Sequence, residues 1–211
     1  MNSKGLLLTI FCFPFLLASI SYGQSVQAPV YKNGDWWKIK VEVRLGSGIS
    51  KSGPCDMLYS EYLIKVNQDK MSVFGMQDSK QEELDCPEIV ADLTGIDQPD
   101  AVSSRNPVSF PMALGRSWKA RYAEQREQRR TRMRSSTVKW VDLEFKVTGS
   151  EKIQTPKGEL EALKIEVLGW PWGKQPPTYY YSPEVKTIVR SREAKERNIR
   201  IVTLIDYSVN K

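Results

Sequence analysis

Two groups of aromatic residues stand close together in the last third of the chain. One is Trp170-Pro171-Trp172-Gly173 and the other is Tyr179-Tyr180-Tyr181. Rings in a Pro- and Gly-rich segment can line the mouth of a cavity. Their faces bury acyl chains or stack on the apolar faces of sugars. The candidate ligand-binding residues are therefore Trp170, Trp172, Tyr179 and Tyr181. The plainer alternative is that the same rings pack a core and brace a turn.

A second chemistry-bearing stretch is basic. Arg126, Arg129, Arg130, Arg132 and Arg134 follow Arg116, Lys119 and Arg121, with only Glu124 and Glu127 against them. Such a surface suits anionic lipid or an acidic partner. It also suits a solvated arm. A third option is pairing within the molecule, because Glu82, Glu83, Asp85, Glu88, Asp92, Asp97 and Asp100 form an acidic stretch. Exposed ion pairs of that kind are worth about 0–1 kcal/mol each.

Catalytic constellations are hard to assemble. The chain has no histidine, which removes the commonest general base and the commonest metal ligand. Serine–histidine and cysteine–histidine nucleophiles and histidine-containing zinc sites are excluded. Ser136-Thr137-Val138-Lys139 has a Ser-x-x-Lys spacing, but on a strand residues three apart point to opposite faces. The acidic stretch does not match the twelve-residue calcium loop. There is no Gly-rich phosphate loop and no nucleophile elbow. The expectation is a non-catalytic protein with no cofactor and no metal. An enzyme would need Asp/Glu or Lys chemistry that no motif marks.

The N-terminus assigns a compartment. Lys4 precedes an apolar run from Leu6 to Ile20, and Ser21-Tyr22-Gly23 supplies small residues before Gln24. This is the pattern of a secretory signal peptide over residues 1–23, cut after Gly23. Its apolar core is about 15 residues, short of the roughly 20 that span a bilayer. Residues 24–211 then form one exported domain, periplasmic or secreted, with no transmembrane span and no call for nucleic acid. The formal charge of +6 includes Lys4, so the exported domain stays basic. Cys12 lies within the leader, which leaves Cys55 and Cys86. In an oxidising compartment this even pair reads as a disulfide, worth roughly 3 kcal/mol on the chain-entropy model.

The elements that position these residues have a period of two. Trp37, Ile39, Val41, Val43 and Leu45 alternate with Lys38, Lys40, Glu42 and Arg44, which predicts a half-buried strand. Asn33-Gly34-Asp35 is the turn before it. Leu58–Val66 and Met71–Met76 predict a hairpin around Asn67-Gln68-Asp69. Val141, Leu143, Phe145 and Val147 mark a further strand. Thr155-Pro156-Lys157-Gly158 turns it into Leu163, Ile165 and Val167. Lys186–Arg190 and Ile199–Tyr207 predict a last hairpin around Glu193–Asn198. The expected core includes Trp37, Val41, Leu143, Phe145, Ile165 and Ile201. Ala123–Arg134 has helical propensity but no apolar stripe, so an exposed hairpin arm is expected there instead. Short helices fit only Cys86–Asp92 or Asp100–Arg105. The fold class is all-β or β-rich α+β: one curved antiparallel sheet, a half-barrel, with short helices across its concave face.

Three segments carry a family resemblance. They are Phe110-Pro111-Met112-Ala113-Leu114-Gly115-Arg116-Ser117-Trp118, Thr155–Ile165, and Thr178-Tyr179-Tyr180-Tyr181-Ser182-Pro183-Glu184-Val185-Lys186. The chain resembles exported bacterial proteins of unknown function. That group is similar in fold to the periplasmic lipoprotein carriers of the LolA/LolB type. The resemblance implies a curved half-barrel that cups an apolar cavity, and no catalytic activity. Many members of that group carry Gly after the Pro-x-Val of the last motif, where this chain has Lys186, so a different turn is expected there.

The expected function is an exported binding or carrier protein for an apolar or amphipathic envelope component. Its partners would be a lipid, an acyl chain or a hydrophobic peptide, and an anionic envelope surface. The alternative is a structural or glycan-contacting envelope module with a filled core.

Overall fold

The computed structural model describes residues 25–44, 59–68, 70–96, 107–130, 133–171, 175–195 and 198–210. Of residues 122–130, 133–138, 195 and 198 it describes the backbone alone. The leader and its cleavage point, Cys55, Trp172, Arg132 and the Asp100–Arg105 segment lie outside the described residues.

Among the described residues the fold is one antiparallel sheet of ten strands, open at both ends, with one helix. The strands are β1 (Trp36–Arg44), β2 (Glu61–Asn67), β3 (Lys70–Gln77), β4 (Lys80–Leu84), β5 (Ser117–Arg130), β6 (Met133–Thr155), β7 (Gly158–Leu168), β8 (Thr178–Ser182), β9 (Thr187–Lys195) and β10 (Asn198–Ser208). Their order is β4-β3-β2-β1-β10-β9-β8-β7-β6-β5. The strand β1 pairs with the C-terminal strand β10, and every other neighbouring pair is consecutive in sequence. The acidic edge β4 and the basic edge β5 lie at opposite ends of the sheet.

The turn chemistry carries the hairpins. Gln68 between β2 and β3 has a φ of 47°, and Gly158 between β6 and β7 has a φ of 122°. Two strands went unread in the sequence. In β4, Lys80-Gln81-Glu82-Glu83-Leu84 has no apolar alternation, because an edge strand with mostly exposed side chains needs none. In β8, Thr178–Ser182 is a paired strand, not part of an aromatic loop. The last hairpin is also tighter than its sequence suggests: Lys195 pairs with Asn198.

The helix α1 (Pro87–Thr94) begins with Pro in its first turn and ends at Gly95. Gly95 has a φ of 74°, and a Cβ there would lie 2.4 Å from Val108 Cγ2. Only glycine fits. Ile89, Val90, Ala91 and Leu93 are buried, and Arg200 of β10 pairs with Asp92 at 3.4 Å.

Two apolar clusters share the core. The first gathers Trp37, Ile39 and Val41 of β1, Tyr62, Ile64 and Val66 of β2, Val202 and Leu204 of β10, and the buried face of α1. The second gathers Leu143, Phe145, Val147, Ile165, Val167, Tyr179, Tyr181 and Ile188, capped by Val108 and Met112. Trp37, Val41, Leu143, Phe145 and Ile165 are buried as expected. Ile201 is the exception. It is half-buried, and its neighbours Val202 and Leu204 face inward because Val202 pairs with Val41.

The turn at Lys186 keeps a glycine-type backbone although the residue is lysine. Its φ is 58°, in the left-handed region that non-glycine residues enter at a cost of about 1 kcal/mol. Its ammonium reaches Asp35 Oδ2 at 3.1 Å and the Asn210 carbonyl at 2.9 Å. A different side chain at that position has acquired a structural partner 151 residues away.

Candidate functional site

Three of the aromatic residues singled out in the sequence, Trp170, Tyr179 and Tyr181, meet at the second cluster, while Tyr180 packs against the first. Phe145 of β6 stacks on Trp118 of β5, with centroids 5.7 Å apart and planes 12° from parallel. Tyr179 of β8 lies against Phe145 at 6.2 Å. Tyr181, two residues on and so on the same face of its strand, meets Phe110 edge-on at 5.5 Å. Trp170 packs on the rim of this cluster and donates its indole N–H to the Ala194 carbonyl at 3.1 Å. These rings come from three strands, β5, β6 and β8, and from two connections.

Phe110 belongs to a strap, residues 107–113, which crosses the cluster before β5. Val108, Phe110 and Met112 turn into the apolar residues below. Met112 is tied to Val26 by two backbone hydrogen bonds of 2.7 Å, one in each direction. Gly115 N–H reaches the Val147 carbonyl at 2.8 Å and fixes the strap's far end to β6. Sequence reasoning read Phe110–Trp118 only as a motif. Its place above Tyr181 depends on contacts between distant parts of the chain.

Tyr179 and Tyr181 are therefore not exposed at a cavity mouth. They are 5% and 1% exposed, beneath side chains of the same molecule. One polar atom in this apolar setting is unaccounted for. The Tyr181 hydroxyl is buried and finds no hydrogen-bond partner among the described residues. An orphaned buried hydroxyl costs about 1–3 kcal/mol. Burial also pushes its pKa above the ordinary tyrosine value, so it stays a neutral donor. Ser182 Oγ and Arg116 Nη1 are likewise buried without partners.

Elsewhere the polar groups are satisfied locally. A depression of about 600 Å³ is lined by Lys38, Tyr59, Glu61 and Met76 among others. There Lys38 pairs with Glu61 at 2.7 Å, and the Tyr59 hydroxyl with Glu82. Among the described residues there is no group of three His, Cys, Asp or Glu placed to hold a metal ion. Ser136 and Lys139 both lie within β6. Arg126, Arg129 and Arg130 lie on β5, and Arg134 on β6. No helix among the described residues is long and apolar enough to cross a membrane.

Comparison with known proteins adds little. No family model matches the chain, and no curated protein matches it. Among solved structures, the chain is similar to the hypothetical lipoprotein YmcC from Escherichia coli K12, at 9% identity and a TM-score of 0.38. The alignment covers 82% of this chain and 86% of that one. A likeness this loose carries no argument about function.

Proposed function

We propose that this chain is an exported, non-catalytic binding or carrier protein for an apolar or amphipathic envelope component. The observation that carries the reading is the Tyr181 hydroxyl, buried without a partner in an aromatic cluster beneath Phe110. Buried polar groups are satisfied in the great majority of cases, and a ligand that bonds the hydroxyl would satisfy this one. An amphipathic ligand that took the place of the Phe110 ring would bury its apolar part among Phe145, Tyr179 and Ile188. Its carbonyl or carboxylate would accept the Tyr181 proton. Export supports the same reading and brings with it a Cys55–Cys86 disulfide. Cys86 is buried just before α1.

The filled-core module is the second reading, and the burial of Tyr179 and Tyr181 favours it. One substitution separates the two. Tyr181→Phe keeps the ring and deletes the orphaned hydroxyl. Its thermal midpoint is expected to equal or exceed the parent's. Retention of a fluorescent fatty-acid probe is expected to fall about tenfold, the equivalent of one lost hydrogen bond of about 1.4 kcal/mol. A parent protein that retains no probe would leave the module reading in its place.

A further inference from the structure

The strands β5 and β6 pair without interruption from Ser117 with Lys146 to Arg130 with Met133. The neighbouring strand β7 ends at Leu168, opposite Glu144. Residues Met133–Leu143 of β6 therefore have β5 as their sole strand partner among the described residues, and β5 is the edge of the sheet. A two-stranded ribbon of this length reaches roughly 35 Å at about 3.3 Å per residue. Two strands alone are marginally stable in water. The outer part of the ribbon has no sheet to lean on.

Its composition points to what it leans on instead. Between Arg121 and Asp142 there are seven basic residues and three acidic ones, which accounts for +4 of the chain's formal +6. At the base of the ribbon, the face turned away from Phe145 and Val167 carries Trp140, 55% exposed, and Leu168, 40% exposed. Lys119 and Arg121 lie on this same face, where Arg121 donates two hydrogen bonds to Asp142, at 2.7 and 3.1 Å. Arginine with exposed tryptophan matches the boundary of a bilayer. The cation meets phosphate, and the indole sits at headgroup depth. An acidic protein partner would use the charges but would leave Trp140 and Leu168 unexplained.

We propose that the β5–β6 ribbon docks on an anionic phospholipid membrane surface, with Trp140 at the bilayer boundary. This is independent of the ligand reading, because a filled-core protein could dock in the same way. The test uses the exported chain without its leader and no fatty-acid probe. Sedimentation with vesicles of phosphatidylcholine alone is compared with vesicles containing phosphatidylglycerol. Binding is expected only to the anionic vesicles, and it should fall as salt rises. Each basic residue near such a surface is worth about 1 kcal/mol, about fivefold in partitioning. The triple change Arg126→Glu, Arg129→Glu, Arg130→Glu should then lower binding at least a hundredfold, since three such terms multiply to about that. The same three residues changed to lysine should preserve binding, which separates charge from ribbon folding. Trp140→Ala should lower binding severalfold at unchanged charge. Equal binding to neutral and anionic vesicles would overturn the proposal. So would full binding by the triple glutamate variant. So would vesicle-independent association of copies, basic edge to acidic edge, that the glutamate changes abolish.

Discussion

Asp35→Ala is expected to lower the stability of the folded domain by about 3–5 kcal/mol, because it breaks a buried ion pair from one side. Asp35 is fully buried. Its Oδ1 accepts the Asn210 backbone N–H at 2.7 Å and the Asn210 side-chain amide at 3.1 Å. Its Oδ2 accepts the Lys32 N–H at 3.0 Å and the Lys186 ammonium at 3.1 Å. One carboxylate thus ties the turn before β1, the turn before β9 and the C-terminal segment. The Lys186 side chain is 14% exposed, so after loss of Asp35 it is left largely out of water with one carbonyl partner. For a domain of this size the thermal midpoint should drop by about 10 °C, at roughly 2–4 °C per kcal/mol. Adding Lys186→Met to Asp35→Ala should recover part of the loss, since an unpaired charge is then no longer buried. Urea unfolding checks both. An unchanged midpoint in Asp35→Ala would mean that the clasp contributes nothing.

The same carboxylate gives the fold an acid limit. Burial by itself would raise the Asp35 pKa. Hydrogen bonds from the Asn210 and Lys32 N–H groups, with the Lys186 ammonium, more than offset this and hold it below 3.8. A group whose folded pKa is depressed contributes its stability in full above the unfolded value. That contribution is lost as pH falls from about 4 through the folded pKa. Asp35→Asn should therefore be less stable than the parent at neutral pH and should converge on it in strong acid.

Phe145→Ala is expected to cost a similar amount, about 3–5 kcal/mol, by a different mechanism. Phe145 is fully buried, stacked on Trp118 and in contact with Tyr179. Truncation removes the transfer free energy of the ring and opens a cavity that neighbours on β5 and β8 cannot close without moving their strands. It also forfeits ring–ring interactions worth about 0.5–1.5 kcal/mol each. A volume-conserving change to leucine or methionine should cost less. If Phe145→Ala were nearly neutral while fatty-acid retention collapsed, the cluster would be a preformed pocket and not a core. The denaturant midpoint, with the m-value held constant, is the measurement.

Much of this architecture is legible in the chain itself. Alternation in Trp37–Val41, Leu143–Val147 and Ile165–Val167 marks strands with one buried face, because side chains on a strand have a period of two. Turn residues at Gly34, Gln68 and Gly158 mark where those strands reverse. The Arg-rich segment lacks an apolar stripe, and it forms a hairpin and not a helix.

Alternation alone does not say which face wins when both are apolar. In β10 the odd positions Ile199, Ile201, Ile205 and Tyr207 outnumber the apolar even ones, yet Val202 and Leu204 are the fully buried pair. That choice belongs to the register with β1, where Val41 meets Val202. The aromatic residues pose a related problem. Tyr179 and Tyr181 read as a loop beside Trp170, and their burial follows from the strap of residues 107–113 crossing above them. Lys186 and Asp35 have no local signature, because a buried ion pair is a contact between distant turns. The basic ribbon stands apart because β7 ends at Leu168, a limit set by strand pairing. Local composition determined the strands, the turns and the charge of the arm. Long-range pairing decided which faces met, since burial is a property of two surfaces and the sequence of one strand describes only its own.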